Sequence, residues 1–327
     1  MAGKPSEIEP DRPPAFASSR PPAVKLGSTL GVFAPAGPVD GVRLRAGLDL
    51  LRAAGWRVKL GRHLRRRKHH LAGADAQRRE DLLALLADPE VDALMAARGG
   101  YGCLRLVEEP IPWDQFPPKP LIGFSDLTVL LTDRCVRTGV GGWHAPMVMT
   151  LPGMRPAAQK EFAAGLAKDV TPPWRFSKKG RRQLGRAQGP LLGGNLSSLA
   201  ALAAAGFLPK LDGVILLLEE HGDEIRRVDR SLQILRSGGR LEALAGLALG
   251  GFTDCAGARA LPTLFRETVA RLPADCPVAL GAPFGHGLFN RLWPVGGRAT
   301  LIVDEAGAQL TFLGGQTKIT KQRVQNI

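Results

Sequence analysis

Hydrophobic positions along this chain follow two alternating rhythms. Unbroken apolar runs at Ser28–Ala34, Val91–Ala97 and Leu121–Phe124 predict buried strands. Between and after them, Val42–Ala54, Gln77–Ala87 and Asp126–Thr138 repeat apolar residues every three or four positions, as amphipathic helices do. Strand and helix taking turns at this spacing predict an α/β layer with a mostly parallel sheet. Past residue 150 the rhythm changes. Pro152, Pro156, Pro172 and Pro173, with the basic stretch to Arg186, predict a linker or long loop. A more strand-rich set follows, with strands at Asp212–Glu219, Leu244–Phe252, Val278–Pro283 and Arg298–Val303. Helices are predicted there at Asn195–Ala205, Glu224–Leu235 and Leu261–Leu272. The predicted organisation is a disordered extension (1–24), an N-terminal α/β domain (25–150), a linker (151–186), a C-terminal strand-rich α/β domain (187–316) and a basic tail (317–327).

Composition narrows the function classes. The 327 residues suit two domains, and 44% hydrophobic with 23% charged residues is an ordinary globular balance. Met1–Pro22 lacks the apolar run of a signal peptide, and the longest apolar stretch, Leu196–Leu208, is too short to span a bilayer. A soluble, cytoplasmic protein without a membrane partner is therefore expected. Cys103, Cys135, Cys255 and Cys276 include no Cys-x-x-Cys pair, so they predict reduced, buried thiols rather than a disulfide framework or a zinc site. His63, His69 and His70 have no carboxylate or thiol partner at metal-ligand spacing, and no metal or other cofactor is expected. The net charge of +14 admits nucleic acid, an anionic membrane or an acidic small molecule. Its dense runs, Arg65–Lys68 and Lys178–Arg182, have no interleaved aromatic residues for base stacking, so nucleic acid is not expected as a partner.

Several segments carry candidate chemistry. In Leu121-Ile122-Gly123-Phe124-Ser125-Asp126-Leu127 an apolar strand ends and a helix begins at once. Such a junction presents a serine hydroxyl at the carboxyl edge of a sheet and aims helix N–H groups at whatever the serine attacks. Leu127 takes the place of the second glycine of Gly-x-Ser-x-Gly, and on this segment alone simple N-capping by Ser125 or Asp126 is the preferred reading. Glu219 closes the run Val214–Leu218, and His286 lies between Gly285 and Gly287 just past a predicted strand. The order Ser125, Glu219, His286 is that of nucleophile, acid and base in α/β-hydrolases, although a triad is recognised by geometry rather than order. Arg98-Gly99-Gly100-Tyr101-Gly102 places three glycines after a strand, where backbone can approach a ligand closely or simply turn. Gly193-Gly194-Asn195-Leu196-Ser197 reads as a helix start capped by Asn195.

Taken together these segments resemble the serine-type LD-carboxypeptidase family, which includes microcin-immunity relatives. The resemblance runs from about Gly31 to Leu313. Its motifs are Ala34-Pro35-Ala36-Gly37-Pro38, Leu71–Asp75 with Arg79, Arg98–Gly102, Gly123–Asp126, His144-Ala145-Pro146-Met147, Gly193–Leu196, Leu218–Glu220, Asp229-Arg230 and Gly285–Gly287 with Pro294-Val295-Gly296. Around the acid the family pattern is Glu-Asp-Val-Gly-Glu-x-Pro-Tyr, and this chain reads Glu219-Glu220-His221-Gly222-Asp223-Glu224-Ile225-Arg226. The resemblance implies release of terminal D-alanine from a muropeptide tetrapeptide during cell-wall recycling. It implies Ser125 as nucleophile, His286 as base, Glu219 as orienting acid, and backbone N–H groups of Gly99, Gly100 and Asp126 as oxyanion donors, at an interface between two domains of a homodimeric enzyme. Tyr101, Arg226 and Arg230 are candidate substrate contacts, the arginines for the substrate's carboxylates. An alternative is a microcin-immunity-type hydrolase cleaving an aminoacyl-nucleotide analogue, with Trp174 stacking on a base. Trp174 as a packed loop anchor is the preferred reading of that residue.

Overall fold

A computed structural model describes residues 20–139, 141–168, 171–176, 181–287 and 289–314. In the first half, β1 (Thr29–Phe33), α1 (Gly41–Ala53), β2 (Arg57–Leu60), α2 (Asp75–Ala87), β3 (Ala93–Ala96), α3 (Cys103–Val107), β4 (Leu121–Gly123), α4 (Thr128–Thr138) and β5 (Gly142–His144) follow one another. The five strands are all parallel, in the order β2-β1-β3-β4-β5. This is a doubly wound order, and such sheets bind ligands outside the carboxyl ends of their strands. β1, β3 and β4 are buried throughout, which is why they read as unbroken apolar runs rather than alternating ones. α1 begins where the Asp40 carboxylate accepts the Arg43 N–H at 2.8 Å.

The second half contains α5 (Pro156–Lys168), β6 (Trp174–Phe176), β7 (Arg181–Gln183), β8 (Gly185–Asn195), α6 (Leu196–Ala204), β9 (Ile215–His221), α7 (Ile225–Ser237), β10 (Gly246–Thr253), α8 (Leu261–Val269), β11 (Val278–Leu280), β12 (Trp293–Val295), β13 (Arg298–Asp304) and β14 (Gly307–Phe312). An eight-stranded sheet runs β6-β14-β13-β8-β9-β10-β11-β7. Its centre, β8 to β11, is parallel, and antiparallel strands close both sides. The mixed α/β architecture, with a mostly parallel first sheet and a strand-rich second part, is the expected one.

Several features differ from the sequence reading. The stretch 151–186, expected as a linker, carries α5, β6, β7 and the start of β8; Phe162 and Leu166 of α5 are buried in the core around β1 and α1. Residues 20–24, expected to be disordered, are packed: Val24 donates its N–H to Leu166 O, and the Trp56 indole donates to Val24 O at 3.0 Å. The rest of the predicted N-terminal extension, the basic tail and most of Lys178–Arg182 lie outside the described residues. Finally, β12 leaves its sequence neighbours and pairs antiparallel with β5 at the edge of the first sheet. The four cysteines are free and buried. Among the described residues no helix is long and apolar enough to cross a membrane.

α4 is packed on all sides rather than amphipathic, with every residue from Thr128 to Cys135 buried. It lies against β8 and α6 of the second part, and Thr128 Oγ1 accepts the Asn195 N–H at 3.0 Å. A Cβ on Gly194, which holds φ +131°, would meet Thr128 Oγ1 at 2.4 Å, so glycine lets the two parts close on each other.

Candidate active site

A cleft of about 890 Å³ is lined from both sheets. The first sheet supplies the loops after β3 (Arg98–Tyr101), β4 (Ser125, Asp126) and β5 (Met147, Met149, Thr150). The second supplies the carboxyl ends of β8 (Asn195) and β9 (Glu220, His221), and the loop after β11 (His286). Two parallel cores thus present their carboxyl edges to one space.

Ser125 holds φ +62°, a left-handed conformation that a non-glycine residue adopts at a cost. The strain is local to the junction: β4 stops at Gly123 and a 3-10 turn over Ser125–Leu127 leads straight into α4. Asp126, next along the turn, is buried, and its Oδ2 accepts the Cys103 N–H at 2.8 Å. Burial raises its carboxyl above the ordinary range. Gly99 backs the serine so closely that a Cβ there would lie 2.7 Å from Ser125 Oγ. Gly100, at φ +119°, also lines the cleft, and Gly37 donates its N–H to Gly99 O at 3.0 Å, tying the loop after β1 to the loop after β3.

His286 Nδ1 is 2.7 Å from Glu219 Oε2, and Glu219 is fully buried. A carboxylate on Nδ1 fixes the proton there and leaves Nε2 as a proton acceptor. The close approach needs Gly285, at φ +112°, whose Cβ would lie 2.9 Å from Glu219 Oε2. Phe124 packs against the His286 ring at 4.7 Å between centroids, and His221 stacks on it at 4.6 Å and 8°. Below them His144 is wholly buried, stacked on Trp293 at 5.0 Å and 18°. Burial, with the neighbouring His286 adding to it, lowers His144 to about 3, so it is neutral at any ordinary pH. A strained serine, an imidazole oriented by a buried carboxylate and glycine-rich backbone beside the serine can together perform acyl transfer to water.

Charges of both signs line the cleft: Arg43, Arg98, Asp40 and Asp126 come from the first half, Glu220 and Asp223 from the second. Glu220 is held by the Asn195 amide and the His221 N–H, each at 2.8 Å, and the Ser197 hydroxyl lies between Glu220 Oε2 and Asp223 Oδ2. Burial raises the Glu220 carboxyl despite these donors.

Of the residues singled out in the sequence, Ser125, Asp126, Gly99, Gly100, Tyr101 and His286 line the cleft, and Glu219 lies behind His286. Tyr101 is half exposed. Arg226 and Arg230 are exposed on α7, outside the cleft lining, and Arg226 pairs with Glu224. The cations of the cleft are instead Arg98, in a motif the sequence displayed, and Arg43, on the first turn of α1, for which the sequence held no signal. Trp174 is fully buried in β6 and stacks on Phe284, a packed anchor unavailable to a base.

Comparison with known proteins shows the family and the fold. The family model described as LD-carboxypeptidase N-terminal domain matches residues 30–145, and that of the LD-carboxypeptidase C-terminal domain matches 188–301. The murein tetrapeptide carboxypeptidase of Pseudomonas aeruginosa is 36% identical over 294 residues, 84% of this chain and 94% of the relative. A crystal structure of muramoyltetrapeptide carboxypeptidase from Oxalobacter formigenes superposes with TM-score 0.74 at 26% identity, covering 88% of this chain and 99% of the other. An MccF-like protein from Bacillus anthracis shares the fold with TM-score 0.78 at 24% identity, over 90% of this chain and 99% of the other.

Proposed function

The chain belongs to the LD-carboxypeptidase family and is a carboxypeptidase, and on that premise we propose that it releases the terminal D-alanine from the murein tetrapeptide, with Ser125, His286 and Glu219 as its catalytic residues. The observation that carries the assignment is the 2.7 Å pairing of His286 with buried Glu219, on the wall of the same cleft that holds the strained Ser125. In this reading His286 Nε2 takes the Ser125 proton as Oγ attacks the carbonyl of the residue before the D-alanine. Glu219 stabilises the imidazolium that forms. Backbone N–H groups of Gly99, Gly100 and Asp126 receive the oxyanion, each such donor being worth about 3–4 kcal/mol. The proton then passes from His286 to the departing amine, and water, deprotonated by the same imidazole, releases the acyl group.

The charges of the cleft support a zwitterionic peptide end. Arg43 and Arg98 suit its carboxylates, and Asp223 suits a free ammonium on the diamino acid. Tyr101, half exposed at the entrance, suits a contact with the peptide body. A place in peptidoglycan recycling follows from that substrate. A homodimer, a cytoplasmic location and the absence of nucleic-acid or membrane partners belong to the same proposal, and sedimentation and cell fractionation test them. The test of the reaction is D-alanine release from L-Ala-γ-D-Glu-meso-diaminopimelate-D-Ala by wild type and Ser125→Ala. Release by wild type alone supports the assignment. Release at equal rates would remove Ser125, and no release by either would remove the substrate.

A further inference from the structure

Where the family pattern has valine, this chain has His221, and its ring lies on the face of the His286 imidazole, 4.6 Å away and within 8° of parallel. The ring is anchored from behind by the end of β10. His221 Nδ1 is 2.9 Å from Thr253 Oγ1 and 3.5 Å from Asp254 Oδ2. β9 and β10 pair at this point, His221 against Thr253, and Gly222 donates its N–H to Thr253 O at 3.0 Å. Asp254 holds φ +53°. The outer part of the His221 side chain stays 41% exposed, on the cleft wall. Nothing in the acyl-transfer scheme above uses it.

We propose that His221 is a positioning residue for the base: its ring, stacked on the His286 imidazole, holds it in plane against Glu219. The inference rests on the reading of Ser125 and His286 as nucleophile and base. His286 already has one edge fixed by Glu219 and packs against Phe124, so a parallel ring on its face removes the remaining tilt about the Nδ1 hydrogen bond. When Ser125 gives up its proton, the charge appears on His286, and an aromatic ring over it is a favourable neighbour. The charged and polar groups around the pair are Glu219 on His286 Nδ1, Asp254 and Thr253 on His221 Nδ1, Glu220 next along β9, Asp223 across Gly222, and His144 beneath Phe124.

Labelling of Ser125 by a fluorophosphonate, followed on the full-length chain from pH 5 to 9, reads the nucleophile without presuming the natural substrate. The reaction joins Oγ to phosphorus as fluoride leaves, and the hydroxyl proton passes to His286 Nε2. His221→Ala should slow labelling roughly tenfold at pH 8, and His221→Phe, which keeps a ring but carries no charge, should recover most of the loss. Thr253→Val, which cuts the anchor and leaves the ring, is a second probe and should slow labelling in the same direction. Wild-type rates in all three variants, or no rescue by His221→Phe, would overturn the inference. A wild-type chain labelled no faster than Ser125→Ala would overturn the hydrolase reading beneath it.

Discussion

Gly285 and Ser125 both hold positive φ at the centre of the site, and they respond to substitution in opposite ways. At Gly285 an added methyl would collide with Glu219 as well as strain the backbone. Gly285→Ala is therefore expected to cost about 1–3 kcal/mol of stability and to lower kcat/KM on the tetrapeptide about a hundredfold. Urea titration and initial rates check the two halves. A stable Gly285→Ala protein with full activity would mean that the loop holds His286 against Glu219 by other contacts. Ser125 is the reverse case, a side chain kept at a conformation that glycine adopts freely. Ser125→Gly should be inactive yet about 1 kcal/mol more stable than Ser125→Ala. Their order in thermal melting decides whether the turn stores strain at Ser125.

At the scale of elements, the pairing of β5 with β12 forms the floor beneath His286. His144 leaves β5 pointing into this floor, against Trp293 of β12, Phe284 and Phe124. Its pKa is about 3 when folded, and the reference value is 6.5. Below pH 6.5 the unfolded chain binds a proton that the folded one refuses, so stability falls as pH drops from 6.5 towards 3. Between pH 7 and pH 5 the loss from this one group is about 2 kcal/mol. His144→Phe keeps an aromatic ring on Trp293 and removes the titration, so its stability should change less over that interval. Parallel urea curves at the two pH values measure it. Equal losses in wild type and variant would show that His144 escapes burial on acidification.

For the whole molecule, the crossing of β12 makes the two sheets depend on each other. The edge of β5 is covered by a strand from the far end of the chain, α4 lies between the two halves, and Thr128 accepts the Asn195 N–H across the junction. Neither half closes its core alone. Calorimetry should therefore give one endotherm with calorimetric and van't Hoff enthalpies equal. Two separated transitions would mean that the halves fold independently despite the shared strand.

The sequence by itself determined what is local. The unbroken apolar runs of β1, β3, β4 and β9 carried the parallel sheets, because strands buried on both faces have no polar positions to alternate with. The strand-to-helix junction at Ser125 and the glycines beside Arg98 and His286 were visible for the same reason: backbone turns leave their mark in adjacent residues. Only the tertiary structure decided which distant groups meet. β5 and β12 were missed because His144 ends the one and Pro294 interrupts the other, so neither reads as an apolar strand run, and α5 was hidden in a proline-rich stretch. That Glu219 reaches His286, that Arg98 and Arg43 face the cleft, and that Arg226 turns to solvent all depend on which side of an element faces the other sheet. That facing is set by packing between segments distant in the chain, which local periodicity does not encode.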